Sequence, residues 1–338
     1  MKFVERDSVS AVVLKGMRFG YDSVKSLAMK QKTFLIFLFL SYSLNAQDCS
    51  TIDKEVVSRI KSDIKILASD LMEGREPGTA GEIKARDFIV ERMQDIGLQP
   101  RGVEGYIQAF PFSEEDSQKA HNIIGFLDNG AQQTVVITAH YDHLGYGSYP
   151  VNHISSNEIH NGADDNASGT AALLELAYYL KSNPIKEKNN FLFIAFSAEE
   201  KGLKGSKYFV LNPSLNLSAV NYVLNMDMIG RMETGMPLTI EGLGSSLIWE
   251  SSLKAIECDA FPLTLKKREN GPSDHAPFYY AGIPALHFWT GKHDDYHKPS
   301  DDVEKINFEA ESQIISFIES FILLMDTKGR IDFYLREK

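Results

Sequence analysis

The chain has 338 residues, room for one large domain or two modest ones, and its 43% apolar and 24% charged residues exclude a disordered or fibrous protein. A formal net charge of -11 rules against general affinity for nucleic acid, whose phosphates demand basic surface. Cys49 and Cys258 are the only cysteines, too few for a disulfide framework and not in a CxxC pair, so any zinc must be held by His, Asp and Glu, while a single bridge between them stays open.

Residues 1–28 carry no clear fold signal and are expected to be an extension ahead of a true start at Met29. Met29-Lys30-Gln31-Lys32 is a short basic segment, and Phe34 to Leu40 is an apolar run too short to span a bilayer. Cleavage is expected after Ala46. The expectation is a signal peptide over 29–46, export to the periplasm or beyond the cell, no stable membrane insertion afterwards, and one domain over 50–338. A membrane anchor is the plainer alternative for the apolar run.

Val56, Val57, Ile60, Ile64 and Leu67 recur at helical spacing over 53–68. A second amphipathic helix is predicted from about Gly81 to Ile96, with Gly97 as its stop. Short strands follow at Tyr106–Phe112, Asn122–Leu127 and Thr134–Ala139. A loop then runs from Tyr141 to Asn166, ahead of a helix over Ser168–Lys181. The run Asn190–Ser197 reads as a strand apolar on both faces, followed by a helix near Leu203–Leu211 and strands at Asn221–Met226 and Ile283–Trp289. Phe308–Met325 is a core-packing helix. Apolar strands alternating with helices indicate an α/β sheet covered on both faces, with its ligand site beyond the carboxyl ends of the strands.

Acids and histidines fall at those ends. His140 and Asp142 lie just past Val135-Val136-Ile137, Asp164 and Asp165 precede a helix, Glu199 and Glu200 end one strand, Asp227 ends another, and His297 follows Ile283–Trp289. Singly, each has a plainer reading as a cap, a turn or a solvated helix start. Jointly they do not, because so many carboxylates in one crevice would repel by several kcal/mol unless a cation neutralised them. Carboxylate and imidazole without thiolate suit catalytic zinc. His140 and Asp142, two apart on an extended segment, point the same way, so Asp142 can accept the ring N–H that faces away from the metal. Glu199 and Glu200 diverge, one toward metal and one toward the attacking water. A pair of metals needs a bridging carboxylate, for which Asp164 and Asp165 are the candidates.

These segments resemble the co-catalytic di-zinc aminopeptidases of the aminopeptidase S/Y family, in metallopeptidase clan MH and among its secreted bacterial members. The matching stretches are Thr138-Ala139-His140-Tyr141-Asp142-His143-Leu144-Gly145, Asn161-Gly162-Ala163-Asp164-Asp165-Asn166-Ala167-Ser168-Gly169, Ala195-Phe196-Ser197-Ala198-Glu199-Glu200-Lys201-Gly202, Asn225-Met226-Asp227-Met228-Ile229-Gly230 and Asp295-Tyr296-His297-Lys298-Pro299-Ser300-Asp301-Asp302. Leu67-Ala68-Ser69-Asp70 and Glu73-Gly74-Arg75 add to them. The resemblance implies a mixed, mostly parallel sheet of about eight strands with helices on both faces, of the zinc exopeptidase (phosphorylase/hydrolase-like) kind. It implies two zinc ions per chain and peptide substrates. Asp165 would bridge the metals, His140 and Asp227 complete one site, and Glu200 and His297 complete the other. Glu199 would be the general base for the zinc-bound attacking water, Asp142 would orient His140, and Tyr296 would steady the substrate carbonyl oxygen. A cis peptide at Asp165–Asn166 is also implied. His143, His153 and His160 are expected to be surface loop residues, and His275 to support the ligands from behind.

Three rival activities stay open at this point. A glutaminyl cyclase shares the implied fold but works with one zinc, and such sequences usually carry Trp-His where this one has Tyr296-His297. A binding protein that kept the fold without catalysis is the rival from another class. A carboxypeptidase acting on acidic dipeptides is the third, since the core motifs alone do not fix which end of a peptide is read.

Overall fold

The computed structural model describes residues 49–112, 118–147, 158–256, 258–267 and 271–334. The expected extension and signal peptide lie outside the described residues. Strands β1 (Gln99–Pro100), β2 (Ile107–Pro111), β3 (Lys119–Leu127), β4 (Thr134–His140), β5 (Asn190–Phe196), β6 (Val220–Met226), β7 (Leu238–Glu241), β8 (Leu263–Leu265) and β9 (Ala285–Trp289) form one sheet. Its order is β1-β3-β5-β4-β6-β9-β7-β8, with β2 paired to β3. The central strands β5, β4, β6 and β9 are mutually parallel, whereas β1, β2 and β3 form an antiparallel flank and β7 runs antiparallel to β9. The sheet is the mixed α/β sheet expected, with nine strands where about eight were implied.

All residues of β4, β5 and β6 are buried, which is why they read as unbroken apolar runs. Alternation divides them between two cores. Val135, Ile137, Ala139, Phe191, Phe193 and Ala195 face the larger core, while Val136, Leu192, Ile194 and Phe196 face the smaller one. The larger core is closed by helices α1 (Lys54–Leu67), α2 (Ala80–Ile96), α3 (Gly169–Ser182) and α7 (Phe308–Asp326). Short helices α4 (Lys204–Leu211) and α6 (His275–Tyr280) bring Phe209 and Phe278 to the smaller one. Helix α5 (Trp249–Leu253) buries Trp249 against Tyr222 and Phe321. Asp53 caps α1 by accepting from the Glu55 and Val56 amides, and Thr79 caps α2. Both helices and α7 begin and end within two residues of the predicted positions.

Cys49 and Cys258 are bridged, with Cα atoms 5.5 Å apart across 209 residues of sequence. Among the described residues no helix is long and apolar enough to cross a membrane.

Candidate metal centre

The parallel strands aim their carboxyl ends at one crevice, and each delivers part of a ligand set. His140 is the last residue of β4, Glu199 and Glu200 follow β5, and Asp227 follows β6. Asp165 arrives from the loop before α3. Gly162 curls that loop with φ 57°, and a Cβ there would run into the Asp165 carbonyl. The Asp165–Asn166 peptide is cis, as the resemblance implied. Three further site segments turn on non-glycine residues in the left-handed region: Ala198 (φ 57°), Met228 (φ 60°) and His297 itself (φ 58°). Such conformations cost on the order of 1–3 kcal/mol each and persist only where the surroundings hold them.

Asp165 is shared between two groups. Its Oδ1 lies 3.4 Å from His140 Nε2, which is itself 3.3 Å from Asp227 Oδ1. Its Oδ2 lies 3.0 Å from His297 Nε2, which is 3.3 Å from Glu200 Oε2. One carboxylate oxygen thus serves each group, the shape of a bridging ligand. His140, Asp165 and Asp227 form one set whose ligand atoms lie within 4.8 Å of one another, and His143, Asp165 and Glu200 form a second. Asp164, the other bridging candidate, turns instead to the protein. Its carboxylate accepts from the Gly230 amide at 2.7 Å and Ser168 Oγ at 3.1 Å, and lies 3.1 Å from His293 Nε2.

The donor set fits a cation. His143 Nδ1 and Glu200 Oε1 face each other at 2.9 Å, yet both are buried without a hydrogen-bond partner. Burial alone would lower His140, but Asp227 and Glu199 raise it well above its ordinary value. Burial opposes His297 too, and its hydrogen bonds with Asp165 and Glu200 lift it to about 10. Burial would raise Asp165, yet His140 and His297 hold it well below the usual carboxylate range. These carboxylates therefore draw positive charge onto the two imidazoles, which is the charge a metal ion would bring. Glu199 differs. Burial first, then Glu200 and Asp227, raise it well above its ordinary value against the pull of His140.

Three positions depart from the sequence reading. Asp142 meets His140 through its backbone carbonyl, 3.2 Å from Nδ1, with its carboxylate at 3.6 Å. That carboxylate accepts from the amides of Glu199 (3.1 Å) and Glu200 (3.3 Å), because left-handed Ala198 folds that strap back over β4 rather than leaving it extended. His143 and His160 are buried, not surface residues; His153 lies outside the described residues. His143 sits against the second ligand group, its ring 5.7 Å from that of His297 and edge-on at 71°. Tyr141 and Leu144 beside it are buried as well, so the chain past β4 dives inward instead of emerging as a loop.

Residues not foreseen hold the arrangement. The fully buried guanidinium of Arg75 donates to the carbonyls of Leu67, Tyr141, Asn161 and Gly162 at 2.5–2.9 Å, fixing the loops behind His140 and Asp165 together. Asp301 accepts from the Asp164 and Asp165 amides at 3.1–3.2 Å. Ser273 Oγ donates to Asp227 Oδ2 at 2.7 Å and accepts from Asn225 Nδ2 at 2.8 Å. Asn225 Nδ2 also lies 3.1 Å from His287 Nδ1, and Thr138 Oγ1 bonds Asn225 Oδ1 at 2.7 Å. His275 stacks on His287 with ring centroids 4.8 Å apart. Beside the ligands opens a cleft of about 270 Å³, lined by Glu199, Tyr296 and His297 at one part and by Glu241, His287 and Trp289 at another. Tyr296 stacks on His297 at 3.7 Å between centroids.

Comparison with known proteins finds a match to peptidase family M28 over residues 122–322, more than half of the chain. The aminopeptidase YwaD of Bacillus subtilis (strain 168) is 36% identical over 212 residues, covering 58% of this chain and 43% of that protein. Leupeptin-inactivating enzyme 1 of Streptomyces exfoliatus is 26% identical over 246 residues, covering 72% of this chain and 50% of that protein. The chain thus spans about half the length of the curated relatives it matches. Among solved structures, BSAP, a zinc aminopeptidase from Bacillus subtilis, is similar with a TM-score of 0.61 and 23% identity, covering 83% of this chain and 96% of that one. A glutaminyl cyclase from Porphyromonas gingivalis gives a TM-score of 0.65 at 19% identity, covering 79% of this chain and 97% of that one. At those identities the structural likenesses establish the fold alone.

Proposed function

The chain belongs to peptidase family M28, and on that premise we propose that it is an exported, zinc-dependent aminopeptidase that removes N-terminal residues from peptides at a centre of two zinc ions. The observation that carries this reading is the divided carboxylate of Asp165, with one oxygen toward His140 and the other toward His297. His140, Asp165 and Asp227 would hold one zinc, and Asp165, Glu200 and His297 the other, with His143 packed behind the second. Zinc there would supply Lewis-acid polarisation of the scissile carbonyl and lower the pKa of water at the site.

The protein's own groups account for the remaining steps. Glu199 takes a proton from the attacking water and returns it to the leaving amine. Burial raises its carboxyl, and positive charge brought to the crevice would draw it down toward the ionised form a base needs. Asp142 fixes both glutamates by their amides, and Ser273 orients Asp227. The Tyr296 hydroxyl, in the cleft next to His297, donates to the substrate carbonyl oxygen as negative charge develops there. Export is supported by the apolar run before Ala46 and by the Cys49–Cys258 bridge, which suits an oxidising compartment.

A glutaminyl cyclase needs one zinc, so the second ligand group and the Tyr296-His297 pair favour the peptidase. Zinc content of the mature chain, measured with hydrolysis of aminoacyl amides before and after chelation, tests the reading. Two zincs and hydrolysis reversible by zinc are expected. One zinc with cyclisation of a Gln-peptide would overturn it.

A further inference from the structure

Away from the ligands, the cleft reaches β7 and β9 toward the far edge of the sheet, where Glu241 puts a carboxylate into its lining. Glu241 of β7 stands directly opposite His287 of β9. Lys266, one residue past β8, continues the parallel register that pairs Leu265 with Ile240, and its amide donates to the Ile240 carbonyl at 2.9 Å. Lys266, Glu241 and His287 therefore lie side by side on one face. Trp289, two residues beyond His287, shares that face and forms the adjoining wall, with the two rings 6.2 Å apart at 21°. Glu241 is 2% exposed and lines the cleft. A Cβ on Gly271 would come within 3.0 Å of its Oε2, so glycine there keeps the approach to the carboxylate open.

The molecule already displays what this corner accommodates. Lys266 Nζ lies 3.6 Å from Glu241 Oε1 and 5.5 Å from the centroid of the Trp289 ring. One alkylammonium thus touches a carboxylate and an aromatic face together, a pairing that suits cationic side chains. Lys266 is held loosely. Its side chain is 46% exposed and the separation exceeds a hydrogen bond, so it returns to water at little cost. Glu241 is fixed by contrast, 2% exposed on β7 opposite His287, and stays in place when Lys266 leaves. Lys292, which lines the cleft, is held over the Tyr296 ring at 4.1 Å.

We infer that this corner receives the side chain of the substrate's N-terminal residue and selects a basic one, lysine or arginine, with Glu241 as the specificity-determining residue and Trp289 as the face along which the side chain lies. The inference rests on the aminopeptidase reading above and narrows its substrate class. A basic side chain displaces Lys266 and takes over both of its contacts. An aliphatic one offers the carboxylate neither charge nor a hydrogen-bond donor, and so gains only the Trp289 face.

The test compares the zinc-loaded protein on the 4-nitroanilides of arginine, lysine and leucine, and separately measures binding of arginine amide and leucine amide by calorimetry. The basic anilides are expected to exceed the leucine anilide by ~10-fold or more in kcat/KM, and arginine amide to bind more tightly. Glu241→Gln should shrink that preference by ~10–100-fold, whereas Lys266→Ala should raise it a few-fold by removing the competing ammonium. Leucine preferred over both basic residues, or a Glu241→Gln variant that lowers all three anilides alike, would overturn the inference. The wild-type preference and the Lys266→Ala variant decide it even if Glu241→Gln fails to fold. Should no anilide be cut, the proposed reaction falls, and the two amides still report on the pocket: tighter arginine amide supports it and equal binding sinks it.

Discussion

Helix α7 and the metal centre both bury carboxylates, with opposite outcomes. On α7, burial raises Glu311 well above its ordinary value and lifts Glu319 to about 8, with Glu175 and Asp53 adding to the latter. Both acids sit in the larger core's layer, where burial favours the protonated form. At the carboxyl ends of β4, β5 and β6, burial acts in the same direction, yet Asp165 is held well below the usual range and Glu200 is also lowered. The difference is company. Glu311 has no imidazole among the causes of its shift, whereas Asp165 is flanked by His140, His143 and His297. Burial by itself makes a carboxyl group neutral; burial among histidines makes a cation site.

The most damaging change to that contrast is Asp165→Asn. It removes the one carboxylate both groups share, so zinc content should fall below one per chain and turnover to background. Two retained zincs in elemental analysis would dissolve the distinction between the regions. Glu199→Gln comes next. It should keep both zincs and slow the chemical step by at least ~10²-fold, while Glu200→Gln should lose zinc first. Turnover and zinc measured on the same samples separate these cases, and near-normal turnover for Glu199→Gln would return that residue to a helix-capping role. Because the base must be ionised to accept a proton, wild-type kcat should fall as pH drops through the Glu199 titration, and Glu199→Gln should lose that limb. Asp142→Asn should weaken zinc binding by only ~10-fold or so, since it acts through the amides of Glu199 and Glu200.

The smallest effect is expected on α7. The folded pKa of Glu319, about 8, lies above its unfolded value near 4.5, so folding binds the proton more tightly. Its contribution to stability is therefore present below the unfolded value and is lost as pH rises from there toward 8. Glu319→Gln should be more stable than wild type at pH 8 and show no gain at pH 4. Equal melting curves for the two proteins at both pH values would show that Glu319 is not the buried acid described here.

Much of this was legible in the sequence, and unevenly so. The apolar runs of β4, β5 and β6 forecast a sheet covered on both faces, and the acids and histidines at their ends forecast the crevice. The two-residue β1 and three-residue β8 are too short to leave a periodic signal. His143 read as a loop residue because period-two reasoning stops where the chain leaves the sheet; the buried Tyr141 and Leu144 around it were the available clue. Asp142 was placed beside His140, but its grip on the Glu199–Glu200 strap depends on left-handed Ala198, which no residue type announces. Glu241, His287 and Lys266 meet only through strand register across a sequence separation of up to 46, so their neighbourhood is a tertiary fact.

The Arg75 guanidinium carries a consequence for where this protein can be cut. Every proposed ligand lies between residues 140 and 297, inside the segment that matches the family, so a fragment starting near residue 122 looks self-sufficient on paper. It would lack the group that satisfies the carbonyls of Tyr141, Asn161 and Gly162, and three buried acceptors would be left facing one another around a hole. The early part of the chain is thus a keystone set from outside the arch. A nick between residues 75 and 122 whose halves stay associated should spare zinc binding, whereas loss of the early half should abolish it with all five proposed ligands still in place.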